Sequence, residues 1–117
     1  MSLENFIRSI KQKEANKIYT LVYQQLAEQD LETYTKSIFE YTGHTESALK
    51  FLSEIETAVL QLKDFPYSCA VYISAKPLTR EYRVKSCGKY SIFYVVSEER
   101  KEVLIARILV SRMYANK

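Results

Sequence analysis

Basic and aromatic side chains in the C-terminal part of the sequence are the main candidates for chemistry. Arg83 and Lys85 are two residues apart on a predicted strand, so their side chains share one face of it. Arg107 interrupts a long apolar stretch, where a charge must reach solvent, pair, or serve a site. Arg112 and Tyr114 follow closely, and such residues can contact phosphates and stack on bases. The plainer interpretation is a set of solvated cations that balance acidic helices.

Most enzyme chemistry needs residues that this sequence does not assemble. His44 is the only histidine, and it lies in a predicted turn, where a solvated side chain is the plainer interpretation. Cys69 and Cys87 lack the spacing of metal ligands, and two reduced cysteines suit a cytoplasmic protein. Gly43 and Gly88 each stand alone, so no glycine-rich phosphate loop can be formed. We therefore expect no metal, no cofactor, and no conventional catalytic triad.

The charge is distributed unevenly along the sequence. The 117 residues have a net charge of +3, but residues 67–117 carry ten basic and four acidic groups, a net charge of +6. The length predicts one domain. The first 17 residues, MSLENFIRSIKQKEANK, contain no continuous apolar stretch, and no run is long enough to span a membrane. We expect a cytoplasmic protein that does not bind membranes.

Two amphipathic helices are predicted in the acidic part of the chain. Apolar residues spaced alternately four and three apart predict the first helix: Ala27, Leu31, Tyr34, Ile38 and Tyr41. Gly43 suits the left-handed residue that ends a helix, and Thr45 is predicted to cap the next one. A broad apolar face and Pro66 define this second helix, whose apolar residues are Ala48, Phe51, Leu52, Ile55, Ala58, Val59 and Leu62. The short turn between the helices predicts an antiparallel hairpin.

The pattern then changes to that of strands. Alternation predicts a strand at residues 80–85, β-forming residues predict one at 90–96, and a nearly apolar run predicts a central strand at 102–110. Residues 17–23 (KIYTLVY) predict a further strand before the helices. The expected fold class is α+β, with a helical hairpin packed on an antiparallel β-sheet.

The first 16 residues form a separate segment, and the predicted single domain covers residues 17–117. Leu3, Phe6, Ile7 and Ile10 have the spacing of a short amphipathic helix, so an additional N-terminal helix is one expectation. The alternative is a frayed tail.

The sequence resembles the toxins of the RelE/ParE superfamily, which belong to bacterial type II toxin–antitoxin modules. The resemblance lies in EYRVKSCGKYSIFYVVSEERKEVLIARILVSRMYA, in LKDFPY at residues 62–67, and in KIYTLVYQQLAEQDLETY. The last of these contains the helix start A-x-x-D-L, formed here by Ala27, Asp30 and Leu31. The resemblance spans residues 17–117 and leaves residues 1–16 outside it.

This resemblance implies a small toxin that arrests growth and is neutralised by a cognate antitoxin. RelE-like members enter the ribosomal A site and cleave mRNA without a metal, using Arg, Lys and Tyr side chains. ParE-like members inhibit DNA gyrase and are not nucleases. The two branches therefore imply different targets, either ribosome-bound mRNA or DNA gyrase.

The match to the nucleases is incomplete. Ser91 stands where RelE-like nucleases typically carry an Arg after the strand tyrosine, and Val110 replaces a His often found after the last strand. The residues that would serve a ribonuclease are Arg83, Arg107, Arg112 and Tyr114. The gaps favour the ParE-like branch.

Three hypotheses follow from the resemblance. The first is a gyrase inhibitor, and the alternatives are a ribosome-dependent mRNA endoribonuclease and an inactive member that binds only its antitoxin. In the first case, four cations would act through the fold or through partner binding: Arg83, Lys85, Arg107 and Arg112. A homodimer is left open.

Overall fold

The computed structural model describes residue 3 and residues 19–111. Within them, two helices pack on a four-stranded sheet, which confirms the predicted α+β class. In chain order the elements are β1 (Thr20–Tyr23), α1 (Gln25–Thr42), α2 (Thr45–Asp64), β2 (Arg83–Cys87), β3 (Tyr90–Ser97) and β4 (Glu102–Val110). Apart from Leu3, which is exposed, the predicted N-terminal helix lies outside the described residues.

The helical hairpin forms where the apolar periodicity predicts it. α1 ends at Gly43, whose φ of 70° is left-handed and whose N–H donates to the carbonyl of Phe39 at 2.7 Å. α2 starts one residue earlier than expected, because Thr45 is its first residue and His44 occupies the capping position without a side-chain cap. The predicted Thr45 cap is therefore wrong. α2 ends at Asp64, two residues before Pro66, and neither helix is long and apolar enough to cross a membrane.

The sheet has the strand order β1-β4-β3-β2. The predicted antiparallel pairing is confirmed for β2 with β3 and for β3 with β4. β1 adds a parallel pairing with β4, from Thr20 opposite Glu102 to Tyr23 opposite Ile105, so the sheet is mixed. Parallel neighbours need a long connection, and here the hairpin, β2 and β3 all lie between them in the chain.

One face of the sheet is covered by the helices. Its buried side chains join those of the hairpin in a single core, which includes Phe51, Ile55, Val59, Leu62, Tyr90, Ile92, Tyr94, Val103, Ile105 and Ile108. Tyr94 is fully buried, and its hydroxyl donates to the carbonyl of Pro66 at 2.8 Å. Burial raises the pKa of Tyr94, so its hydroxyl stays protonated as a donor at neutral pH.

A β-bulge interrupts β4. Ile105 and Ile108 are both fully buried on the helix-covered face, although residues three apart normally point to opposite faces of a strand. The register shifts between Phe93, which is opposite Arg107, and Tyr94, which is opposite Ile105. Ala106 is therefore the extra residue of the bulge. Because of it, both Ile105 and Ile108 point into the core.

The edge segment, defined as residues 66–82, joins α2 to β2 without regular structure. Tyr72 N–H donates to the Tyr82 carbonyl at 2.7 Å, and Val84 N–H donates to the Ala70 carbonyl at 3.2 Å. These bonds place part of the segment along the outer edge of β2. The Tyr72 ring meets Phe93 edge-on, with centroids 5.1 Å apart, on the sheet face opposite the helices.

Candidate functional site

Arg107, the charge that interrupts the apolar strand, is paired with a carboxylate. Its Nε and Nη2 groups donate to the two carboxylate oxygens of Asp30, at 2.8 and 2.9 Å. Two parallel bonds of this kind match the planar guanidinium to the planar carboxylate. The hydrogen bond to Asp30 raises the pKa of Arg107, against a smaller opposing effect of burial.

Asp30 makes a third hydrogen bond that links α1 to the sheet. Its carboxylate accepts the backbone N–H of Ile108 at 2.9 Å, on the stretch of β4 that β1 does not reach. The Asp30 side chain is only 12 % exposed. Sequence reasoning treated Asp30 as a helix-end residue and missed this role. The sequence signal for this role was that Asp30 directly precedes Leu31, a residue of the apolar stripe of α1.

Arg83 lies on the helix-covered face and is held by neighbouring groups. It is opposite Tyr94 in the register, and directly opposite residues share a face. Its Nη1 donates to the carbonyl of Cys69 at 2.7 Å, and its guanidinium carbon lies 5.0 Å from the centre of the Tyr67 ring. Glu81 approaches it at 3.5 Å. Arg83 thus ties β2 to the start of the edge segment.

Lys85 shares the face of Arg83, as predicted, because it lies opposite Ile92. The next residue on this face is Cys87, whose thiol donates to the carbonyl of Glu54 on α2 at 3.6 Å. Burial raises the pKa of the Cys87 thiol, which keeps it protonated and unreactive. The shared face of the two cations is therefore the one that meets the helices.

Ser91 lies on the opposite face and is 1 % exposed. Its hydroxyl is 2.8 Å from that of Ser111, just after β4. A buried hydroxyl at this position brings no charge to the surface.

The predicted nuclease residues do not form one cluster in the described part of the chain. Arg83 and Lys85 lie on the helix-covered face, whereas Arg107 is opposite Phe93 and bound to Asp30. Arg112 and Tyr114 lie outside the described residues.

A shallow cavity of about 330 Å³ lies on the face opposite the helices, beside Arg107. It is mostly apolar, and its walls include Leu26, Tyr72, Leu78, Phe93 and Leu109. Leu26 and Leu78 are 54 % and 45 % exposed, and the Arg107 side chain is 41 % exposed. We call this surface the Arg107 cavity. Sequence reasoning missed it because Tyr72 and Leu78 come from the irregular edge segment, which carries no periodic signal.

A second polar cluster lies around Glu98, in the turn between β3 and β4. One carboxylate oxygen accepts the hydroxyls of Tyr19 and Tyr67, and the other accepts the Lys101 ammonium at 2.6 Å. These bonds, with Lys101 first, lower the pKa of Glu98 to about 2. The cluster joins the start of β1, the edge segment and the turn.

In the part of the chain that the structure describes, no three acidic, histidine or cysteine side chains come together as a metal site. Cys69 and Cys87 are free thiols.

Replacement of Asp30 should separate its two roles. Asp30→Asn keeps one oxygen for the Ile108 N–H but loses the ion pair, whereas Asp30→Ala loses both and leaves that N–H without its acceptor. We expect Asp30→Ala to lower the free energy of unfolding by about 1–3 kcal/mol more than Asp30→Asn does. Urea unfolding of both variants measures the difference. Equal losses would contradict a role for Asp30 in holding β4.

The Glu98 cluster should make stability depend on pH in the acid range. Because its folded pKa is about 2 and the ordinary value is 4.5, Glu98 contributes stability above the ordinary value, and this is lost as pH falls through the folded pKa. Glu98→Gln should therefore lower the melting temperature near neutral pH, with a deficit that shrinks on acidification. Glu99→Gln is the matched control, since it removes the adjacent charge. A deficit that is constant with pH would contradict this account.

Comparison with known proteins gives the family and the fold. The sequence model described as "ParE toxin of type II toxin-antitoxin system, parDE" matches residues 21–114. A chain of the chromosomal ParDE system from P. aeruginosa superposes with a TM-score of 0.65 at 24% identity, covering 80% of this chain and 97% of that one. A chain of the RelBE2 toxin–antitoxin complex from Mycobacterium tuberculosis gives 0.53 at 21% identity, covering 79% and 96%. The comparison with curated proteins found no match.

The structural neighbours support the fold, and the sequence match supports the family. That match extends from β1 to beyond β4 and includes both helices, so it covers well over half of the chain. The chain therefore belongs to the ParE toxin family of type II toxin–antitoxin systems.

Proposed function

We propose that this ParE-type toxin arrests growth in the cytoplasm by inhibiting DNA gyrase, and that a cognate antitoxin neutralises it. The target is the one implied by resemblance to the ParE-like branch. The competing activity is mRNA cleavage on the ribosome, implied by the RelE-like branch. The placement of two candidate cations, Arg83 and Arg107, supports the first target.

The observation that carries the proposal is that two of the candidate cations, Arg83 and Arg107, are engaged by groups of the fold. Metal-free RNA cleavage needs cations where charge develops on the phosphate, and loss of one such group commonly costs about two to three orders of magnitude in rate. Here Asp30 engages Arg107, Arg83 is bound on the helix-covered side, and Ser91 is uncharged and buried. This arrangement favours protein binding over RNA cleavage.

The Arg107 cavity is the surface we propose for the antitoxin. It combines apolar walls with a partly accessible guanidinium, and most of its lining residues come from the half of the sequence with a net charge of +6. An antitoxin segment with acidic and apolar residues would fit both properties and would fold as it binds. Opposite charges would also speed its association at low salt.

Induction of the toxin alone in bacteria should slow growth, with loss of plasmid supercoiling and no cleavage of mRNA. Gyrase supercoiling assays with purified toxin and primer extension on mRNA after induction measure the two activities. Codon-position cuts that vanish in Arg107→Ala or Arg112→Ala, with supercoiling unaffected, would make the protein an mRNA endonuclease. Unimpaired growth at confirmed soluble expression would make it an inactive, antitoxin-binding member.

Substitution in the cavity should weaken neutralisation. Leu78→Asp places a carboxylate among the apolar walls and beside the site of an acidic partner, so we expect at least about tenfold weaker antitoxin binding, a loss of about 1.4 kcal/mol. Ile73→Asp is the matched control, because Ile73 is 88 % exposed in the same edge segment and does not line the cavity. Titration calorimetry with the antitoxin compares them. Equal affinities would place the antitoxin elsewhere.

A further inference from the structure

The solvent side of the helical hairpin carries an uncovered apolar groove. Its walls come from both helices and include Leu31, Phe39, Leu49 and Leu52, around a space of about 660 Å³. Phe39 is 48 % exposed and Leu49 is 59 % exposed. Large apolar side chains that share one concave surface mark an interaction site more often than scattered ones do. We call this surface the hairpin groove.

The hairpin groove continues to the point where the chain enters the fold. A second space of about 460 Å³ shares Leu31 and Leu52 with the first, and its walls also include Leu60 and Leu21. Leu21 belongs to β1, two residues after Tyr19, where the continuous described chain begins. Residues 1–18 are therefore attached beside one end of the groove.

The sequence of residues 1–18 contains an apolar stripe that the described fold does not use. Phe6, Ile7 and Ile10 have the sequence spacing that would place them on one side of a helix, at about 100° per residue. Leu3 has the same spacing, but its side chain is 74 % exposed, so the inference rests on the other three. Three such side chains represent substantial area to remove from water.

The charges of the two parts are complementary. α1 and α2 contain eight Asp and Glu residues and three Lys, whereas residues 1–18 contain four basic and two acidic residues. On a helix, Lys11 and Lys13 would flank the apolar stripe on its two sides. Glu32 and Glu56 lie at the two spaces of the groove and could pair with them.

The connection is long enough to reach the groove. Eight residues separate Ile10 from Tyr19, and an extended chain of that length spans up to about 27 Å. Along α2 the two spaces of the groove run from Leu49 to Leu60, which is about 17 Å at the rise of a helix. The stripe can therefore reach any part of the groove within its own chain.

We propose that residues 1–18 dock on the hairpin groove of the same chain, with Phe6, Ile7 and Ile10 facing its leucines and Phe39. The segment then covers the groove and leaves the Arg107 cavity on the far face of the sheet accessible. This inference does not rest on the proposed function, because neither gyrase binding nor antitoxin binding was assigned to the hairpin groove.

The test compares full-length variants. Phe6→Ser combined with Ile10→Ser should lower the melting temperature by about 4 °C or more. The same change should speed hydrogen exchange of amides along α1 and α2 at the groove. Leu49→Gln should destabilise the parent chain more than it destabilises the double variant, because the two sites lose a shared contact.

Leu26→Gln is the matched control, since Leu26 is 54 % exposed on α1 and does not line the groove. Its effect should be the same in the parent and the double variant. Additive effects of Leu49→Gln and the double substitution would overturn the proposal. A mass by light scattering above that of the monomer, with a melting temperature that depends on concentration and on Phe6 and Ile10, would overturn it in favour of a second copy of the chain.

Discussion

The carboxylate of Asp30 holds the end of β4 that lies beyond its bulge. The core needs both Ile105 and Ile108 on the helix-covered face, and that is possible only with an extra residue between them. β1 ends opposite Ile105, so beyond this point no strand of the described residues continues beside β4 on that side. Asp30 accepts the N–H of Ile108 there and holds the neighbouring guanidinium as well. The Asp30 side chain thus supplies a hydrogen-bond acceptor that a neighbouring strand would otherwise provide.

The same pair determines what the sheet offers to other molecules. A guanidinium engaged by a carboxylate through two bonds is held in place by the protein itself, and it keeps only part of its surface for a partner. Arg83, another candidate cation of the sheet, lies on the helix-covered face and is bonded to the start of the edge segment. Both guanidinium groups are therefore engaged by groups of the fold itself.

Local patterns allowed much of the fold to be predicted. The helices follow from apolar spacing, and β4 has the predicted bounds because its apolar run is flanked by a polar turn. The position of Arg83 and Lys85 on one face follows from alternation alone. Alternation does not tell whether their face is the one that the helices cover. That is determined by the pairing of β2 with β3 and by packing against residues distant in sequence.

The features that the sequence did not reveal all arise from such distant contacts. The parallel pairing of β1 joins residues about 80 positions apart, and Asp30 and Arg107 are separated by 77. The bulge was hidden because EVLIARILV is apolar on both sides of it, so its pattern shows no break. The edge segment has no period, and its path is set by hydrogen bonds to β2. These contacts place the Arg107 cavity, so the site was harder to predict than the fold.

The edge segment has a consequence for how sheets from separate molecules can join. Val71 forms a β-bridge with Arg83 on the outer edge of β2. Only the remaining end of β2 is therefore unpaired on that edge, and it is shorter than an ordinary strand of about five or six residues. The other edge of the sheet is β1, which has only four residues, so on the described chain both edges are short. Short edges offer few unpaired N–H and C=O groups to a neighbouring molecule, so this sheet gives little template for edge-to-edge pairing.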